Sequence, residues 1–175
     1  MSTESLFKPW KIGPHTLSHR VVMAPLTRMR ASLPGNAANA MNATYYGQRA
    51  TPGGLIIAEA SQVMPGGSGA PATPGIHSPE QVEGWKGVVR AIHDRGGKVF
   101  LQLWHVGRIS HSSLQPGGGV PVSASAVPAE GKVMTAQFTR EPFETPRALR
   151  TDEIPGIVQA YAQAARNAMA AGFDG

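Results

Sequence analysis

Three short apolar segments constrain the fold most strongly, because each is followed by a segment of helical character. They are Val21–Ala24, Leu55–Ala60 and Val99–Trp104. Strands that are apolar nearly throughout are typical of a parallel sheet covered by helices. The chain has 175 residues, of which 41% are apolar, enough for a single domain with a core. We therefore predict an α/β fold in one domain, residues 1–175.

The connecting segments carry helix signals. Ser78-Pro79-Glu80-Gln81 supplies an N-cap, a proline at the first helical position and a capping-box residue. The apolar stripe of this helix is Val82, Trp85, Val88, Val89 and Ile92, and Gly96-Gly97 ends it. We expect an earlier helix from Asn39 or Asn42 to about Ala50, stopped by Pro52-Gly53-Gly54. A third should begin near Thr151 and end at Gly172, with a buried face formed by Ile154, Ile157, Val158, Tyr161, Ala165 and Ala168.

Two further segments have weaker signals. Residues 6–20 are predicted to be an extended lead-in, with a small hairpin at Gly13-Pro14. Residues 105–150 are rich in Gly, Pro and Ser. A loop of that length within a domain is usually functional or contains small strands of its own.

Polar residues cluster where the predicted strands end. Strand alternation puts Phe100, Gln102 and Trp104 on one face of the third segment. A buried amide without partners costs a few kcal/mol, so Gln102 either bonds to nearby backbone or meets a ligand. Thr27, after Pro25, either binds a ligand or closes a turn. The carboxyl ends of parallel strands are where α/β folds bind ligands.

Several functions lack support in the sequence. The chain has no Cys, and His105 and His111 have no third ligand at suitable spacing, so we expect no metal site. Gly117-Gly118-Gly119 lacks the lysine of a phosphate loop, and Gly66–Gly69 resembles a flexible loop. No nucleophile elbow is present.

Net charge and hydropathy indicate which partners and which cell compartment to expect. The net charge of +5 comes from scattered residues, which gives a nucleic-acid or phosphoprotein binder only weak support. No signal-peptide pattern or membrane-length apolar run is found. We expect a cytoplasmic protein with neither membrane nor nucleic acid as a partner.

Several strings, taken together, resemble the Old Yellow Enzyme family of FMN-dependent ene-reductases. They are RVVMAPLTRMRA (20–31), YYGQRATPGGLIIAEASQV (45–63), PGIHSPEQ (74–81), LQLWHVGRISHSSLQPGG (101–118), PVSASA (121–126) and PRALRTDEIPGIV (146–158). They span most of the chain in the order and spacing of the family. The resemblance implies a (β/α)8 TIM barrel, to which this chain contributes the lead-in and roughly the first three strand-helix units.

The resemblance also assigns residues to a flavin site. Pro25 and Leu26 would contact FMN through the backbone, and the Thr27 hydroxyl would hydrogen-bond the O4 side of the flavin and tune its potential. Ala60 would offer a backbone contact to the isoalloxazine, and Gln102 would bind the pyrimidine edge. Trp104 would form a wall of the substrate pocket. Ala70 stands where the family often has a Tyr, which implies a wider pocket or a changed selectivity.

The implied reaction is hydride transfer from NADPH or NADH to FMN, and then to an activated alkene such as an enone, maleimide or nitroalkene. The protein would orient the reactants and tune the cofactor. In the family, a substrate-binding His–Asn or His–His pair and a proton-donating Tyr follow the fourth strand. The FMN phosphate contacts lie near the last strands.

A complete barrel needs about 250 residues, and this sequence reaches Gly175 where the fourth strand should begin. We therefore expect activity only when a second polypeptide supplies the complementary C-terminal half. The alternative is a non-catalytic half-barrel module that self-associates without flavin.

Overall fold

A three-stranded parallel sheet organises the computed structural model, which describes residues 3–175. Its strands are β3 (Val22–Met23), β4 (Leu55–Gln62) and β5 (Lys98–Trp104), in the order β3-β4-β5. Met23 lies opposite Ile56, and Ile56 lies opposite Val99. The predicted α/β class with a parallel sheet is confirmed.

Three helices follow the three strands. They are α1 (Ala40–Gly47), α2 (Pro79–His93) and α3 (Ile154–Ala171). Asn39 caps α1 and Ser78 caps α2, each in a reciprocal capping box. The predicted start of α2 is confirmed, and Asn39 is the one of the two candidate residues that caps α1.

Aromatic residues fill the core between the sheet and the helices. Trp85 is fully buried, with ring centroids 6.3 Å from Tyr46 and 5.4 Å from Phe173. Its indole N–H donates to the Gly75 carbonyl at 3.0 Å. The predicted apolar stripe of α2 is confirmed, because Trp85, Val88, Val89 and Ile92 are buried and Val82 is half-buried.

The lead-in forms a hairpin of β1 (Trp10–Ile12) and β2 (His15–Leu17), as predicted. The His15 ring lies 5.8 Å from the Phe100 ring between centroids, and its Nε2 donates to the Asp174 carbonyl at 3.0 Å. The hairpin therefore packs against the amino-terminal half of β5.

The excursion after β5 contains four short strands, as the second of the two expectations for this segment proposed. They are β6 (Val122–Ser123), β7 (Lys132–Met134), β8 (Arg140–Pro142) and β9 (Arg147–Ala148). β6 pairs with β9 in parallel, and β7 pairs with β8 antiparallel. Among the described residues, no helix is long and apolar enough to cross a membrane.

The predicted buried face of α3 was partly wrong. Ile154 and Val158 are 48% and 63% exposed, and Ala165 is exposed too. Ala168 is buried as predicted, together with Ala164 and Ala171. A stripe of alanines lets the helix lie close to its neighbours, so small side chains rather than the largest apolar ones mark the contact face.

The last residues of the chain lie along the outer edge of β5. The Asp174 N–H donates to the Val99 carbonyl at 2.8 Å, and the Leu101 N–H donates to the Gly175 carbonyl at 2.9 Å. The Asp174 carboxylate accepts from the Val99 N–H at 2.9 Å, from His93 at 2.8 Å and from Lys98 at 3.0 Å. One carboxylate thus joins the end of the chain to α2 and β5.

We expect the Gly84→Ala variant to lose about 1–3 kcal/mol of unfolding free energy through overpacking. A Cβ at Gly84 would collide with the Ala38 carbonyl oxygen. Gly87→Ala is the matched control, because a Cβ at this position of α2 meets nothing within 4 Å. The control should gain about 0.5–1 kcal/mol from helix propensity. Urea denaturation measures both, and equal effects would contradict the proposed close approach.

We expect Asp174→Ala to lose about 2 kcal/mol at neutral pH, because a charged acceptor of several hydrogen bonds is removed. Burial alone would raise the pKa of Asp174, but hydrogen bonds from Val99, His93 and Lys98 outweigh burial and hold the pKa below its ordinary value of 3.8. The stabilisation should therefore be full above that value and be lost as the pH falls through the lowered pKa. Denaturation at several pH values tests this, with Asp94→Ala, at an exposed position, as the control. If the difference in unfolding free energy between Asp174→Ala and wild type stayed constant with pH, the prediction would be refuted.

Candidate functional site

The carboxyl ends of the three parallel strands meet at one edge of the sheet, which we call the rim. The rim consists of Pro25–Thr27 after β3, Ala60 in β4, and Gln102–Trp104 at the end of β5. The Val63 N–H donates to the Trp104 carbonyl at 3.2 Å, so β4 and β5 stay joined at this end. The structure therefore brings the predicted cofactor contacts from all three strands to the same edge.

Gln102 lies on the face of β5 opposite the helices. Val99 and Leu101 are buried on the helix side, whereas the Gln102 side chain is exposed. The expected alternation along β5 is confirmed, but the amide is not enclosed in a core. Within residues 3–175 it has no hydrogen-bond partner, so both its donor and its acceptor are available.

Thr27 lies in the loop that follows β3. Thr27 and Leu26 are exposed and Pro25 is half-buried. The Thr27 hydroxyl has no hydrogen-bond partner among the described residues. The next residue, Arg28, donates its backbone N–H to the Glu59 carboxylate at 3.0 Å. The loop is thus attached to β4 directly beside Thr27.

The remaining predicted residues lie on or after β4 and β5. Trp104 is half-buried, and its indole Nε1 is buried without a hydrogen-bond partner. Ala60 is buried, at 2% exposure. Ala70 lies in the loop after β4, where its carbonyl accepts from the Thr73 hydroxyl at 2.9 Å. The roles assigned to these residues stay predictions.

A buried carboxylate behind the rim was missed by the sequence reasoning. Ala58 pairs with Leu101 and Ser61 with Leu103, so Glu59 and Ala60 together stand opposite Gln102 in a β-bulge. The bulge interrupts the strict alternation of β4. Glu59, at 0% exposure, consequently reaches α1.

Three donors surround the Glu59 carboxylate. They are the Arg28 N–H at 3.0 Å, the Tyr46 hydroxyl at 3.2 Å and the Asn42 amide at 3.5 Å. Burial raises the pKa of Glu59, while the Arg28 and Tyr46 hydrogen bonds and the Arg28 charge oppose that shift. Burial and the neighbouring carboxylate also raise the pKa of Tyr46, which stays a neutral donor. The sequence signal for this cluster was Glu59 itself, an acidic residue within an otherwise apolar strand. A buried charged group requires partners, so such a residue indicates a polar cluster.

A second buried polar pair shapes the loop after β4. The Thr73 hydroxyl oxygen lies 3.2 Å from the Gln62 side-chain carbonyl oxygen, and both residues are buried. The Gln62 backbone bonds to Pro74 and Ile76. This pair fixes the segment that contains Ala70.

The two histidines considered as metal ligands have local roles. His105 Nδ1 accepts from the Gly107 N–H at 3.1 Å, and burial lowers the pKa of His105. His111 Nδ1 lies 3.0 Å from the Ser113 hydroxyl. In the described part of the chain, no group of three His, Cys, Asp or Glu residues could hold a metal ion.

The chemistry of the rim fits a planar heteroaromatic ring. The Gln102 amide offers a donor and an acceptor, and the Thr27 hydroxyl can serve as either. A flavin ring carries alternating donors and acceptors along its edge, so these groups match its requirements.

A protein-family model and several curated proteins match this chain. A family model described as NADH:flavin oxidoreductase / NADH oxidase matches residues 5–175. The chain is 49% identical over 170 residues to 12-oxophytodienoate reductase 1 of Oryza sativa subsp. japonica, covering 97% of this chain and 43% of that protein. It is 42% identical over 175 residues to flavin oxidoreductase hxnT of Emericella nidulans, covering 98% and 44%.

The structural comparison agrees with the sequence comparison. A solved structure of morphinone reductase in complex with tetrahydroNAD is 51% identical and has a TM-score of 0.90. The match covers 97% of this chain and 47% of that one. This chain therefore spans less than half the length of these relatives.

Proposed function

This chain belongs to the NADH:flavin oxidoreductase / NADH oxidase family, and from that membership we propose that it is the FMN-binding first part of a (β/α)8-barrel ene-reductase. The three strand-helix units would be the first three of the barrel. The completed protein would reduce activated alkenes, such as enones, maleimides and nitroalkenes, with NADH or NADPH as the hydride source.

The observation that carries this proposal is the pair of free polar side chains at the rim. The Thr27 hydroxyl and the Gln102 amide come from the outer two strands of the sheet, and neither has a partner within residues 3–175. Exposed side chains ordinarily bond to water, which a ring with matching edge groups can replace. The similarity to flavin enzymes supports FMN as the ring.

FMN, when bound, would supply the hydride chemistry between the nicotinamide and the β-carbon of the alkene. Gln102 would hold the pyrimidine edge of the ring, and the Thr27 hydroxyl would hydrogen-bond its O4 side. Leu26, Pro25 and Ala60 would pack along the ring through their backbone. Trp104 and Ala70 would line the substrate pocket.

The free edges of the sheet support a complementary C-terminal half as partner. Along β3, a groove of about 570 Å³ is lined by apolar residues that include Val22, Leu26 and Leu55. Val22 and Leu26 are 40% and 50% exposed. On the other side, Asp174 and Gly175 begin to pair along β5. The unpaired edge along β3, the short pairing along β5 and the exposed apolar surface favour association with further strands and helices.

The same exposed surface also suits a second candidate function, a non-catalytic module that self-associates without flavin. The two candidates differ in what completes the sheet and in whether flavin is retained. Mixing experiments therefore distinguish them.

We expect the chain, combined with a C-terminal segment carrying the remaining barrel strands, to retain FMN and to show flavin absorbance after gel filtration. Gln102→Leu should weaken FMN binding by about 1–3 kcal/mol, because a polar edge of the ring loses its partner. Thr27→Ala should shift the flavin potential and leave the far-UV circular dichroism unchanged. Fluorescence titration and redox titration measure the two effects.

Gln48→Leu is the matched control for the loss of a side-chain amide. Gln48 is exposed at the end of α1, away from the rim. A colourless mixture with a homo-oligomer of this chain would favour the non-catalytic module. Equal FMN affinity for Gln102→Leu and wild type would exclude Gln102 from the site.

A further inference from the structure

The loop that carries Thr27 is attached to the sheet at a single point. Within the described residues, the Arg28 N–H to Glu59 hydrogen bond of 3.0 Å is the only one that joins residues 25–29 to β4. Other contacts of the loop are local or lie outside the sheet. The Arg30 guanidinium donates to the Met29 carbonyl at 3.0 Å, and the Arg28 guanidinium lies 4.9 Å from the Tyr45 ring centroid.

The bonded N–H belongs to the peptide that joins Thr27 to Arg28. Because a peptide unit is planar, fixing its N–H also restricts the backbone of Thr27 and the direction of its side chain. Met29, next along the loop, has a φ of 52°, which is uncommon for a residue with a side chain. Such a conformation persists when neighbouring contacts hold it.

Glu59 also precedes Ala60, the predicted flavin contact of β4. The bulge places both residues opposite Gln102. One side chain on β4 therefore connects the backbone of Thr27 to the backbone of Ala60. Two segments that would contact the same ring are linked through one carboxylate.

Resting on the proposed function, we propose that Glu59 is a positioning residue for the flavin. Its carboxylate fixes the Thr27–Arg28 peptide relative to Ala60 and sets the spacing between two flavin contacts on neighbouring strands. Glu59 touches neither the ring nor the substrate in this account.

The surroundings of Glu59 hold the carboxylate in one orientation. The Tyr46 hydroxyl donates to Oε1 at 3.2 Å and accepts the Glu59 N–H at 2.8 Å. The side-chain oxygen of Asn42, Oδ1, accepts the Asn39 N–H at 3.0 Å. The side-chain nitrogen, Nδ2, therefore faces Glu59 Oε1 at 3.5 Å. Oε2 remains for the Arg28 N–H. A buried network with all of its members bonded is rigid, as a positioning residue requires.

Hydrogen exchange of the 175-residue chain tests the positioning directly, without flavin. We expect Glu59→Leu, which is similar in size but has no acceptor, to accelerate exchange at the Arg28 amide by about tenfold relative to core amides of β4 and β5. Glu59→Gln keeps an acceptor and should lie nearer to wild type. Gln81→Leu is the matched control, because it removes another buried acceptor of backbone N–H groups, at the start of α2, without touching the Glu59 cluster or the Arg28 N–H.

The flavin arm uses the chain combined with the C-terminal barrel segment and FMN. Glu59→Leu should shift the flavin reduction potential and the visible absorption maximum, and weaken FMN binding by about tenfold, the order of magnitude of one lost hydrogen bond. Gln81→Leu should leave the potential and the spectrum near those of wild type. A role in folding alone would affect both variants equally.

The results distinguish failure of this proposal from failure of the proposed function. Local acceleration at Arg28 together with a shifted potential in Glu59→Leu, but not in Gln81→Leu, supports the proposal. Unchanged Arg28 exchange, an unchanged potential, or equal effects in the two variants would overturn it while leaving the proposed function intact. If the wild-type mixture binds no FMN, the proposed function fails, and unchanged exchange in Glu59→Leu would additionally show that Glu59 does not hold the loop.

Discussion

Parallel pairing of three apolar strands is the constraint from which the rest of the structure follows. Parallel neighbours cannot be joined by tight turns, so each strand must be followed by a crossover, here containing α1 or α2. The apolar side chains of Ile56 and Val99 then pack against the helix layer around Trp85. All three carboxyl ends consequently meet at one edge. Polar residues at those ends are therefore brought together by topology, although they lie far apart in the sequence.

Local signals in the sequence predicted the elements well, whereas features that depend on three-dimensional context were missed. The capping box of α2 and the glycines that end it depend on a few neighbouring residues, and the structure confirms them. The predicted face of α3 was partly wrong: Ile154 and Val158 are exposed, whereas Ala164 and Ala171, which were not predicted, are buried beside the predicted Ala168. Apolar character alone does not say which side of a helix has a neighbour.

The bulge in β4 shows a second kind of limit. Strict alternation places residues by counting, but one extra residue opposite Gln102 changes the direction of every side chain beyond it. Glu59 accordingly became a buried acceptor for Arg28, Tyr46 and Asn42. The rim residues Thr27 and Gln102 could be identified from the sequence because they follow or end predicted strands. The contacts of Glu59 behind the rim could not be predicted from the sequence, because they depend on how β4, α1 and the loop after β3 pack together.

The central claim is that the Thr27 hydroxyl and the Gln102 amide bind the edge of one flavin ring. The most direct measurement is an experimental structure of this chain joined with the complementary barrel segment and FMN. Both side chains are expected within about 3.5 Å of polar atoms of the isoalloxazine ring, with Trp104 beside it. A ring bound elsewhere, or a ring at the rim with either side chain turned away from it, would contradict the account.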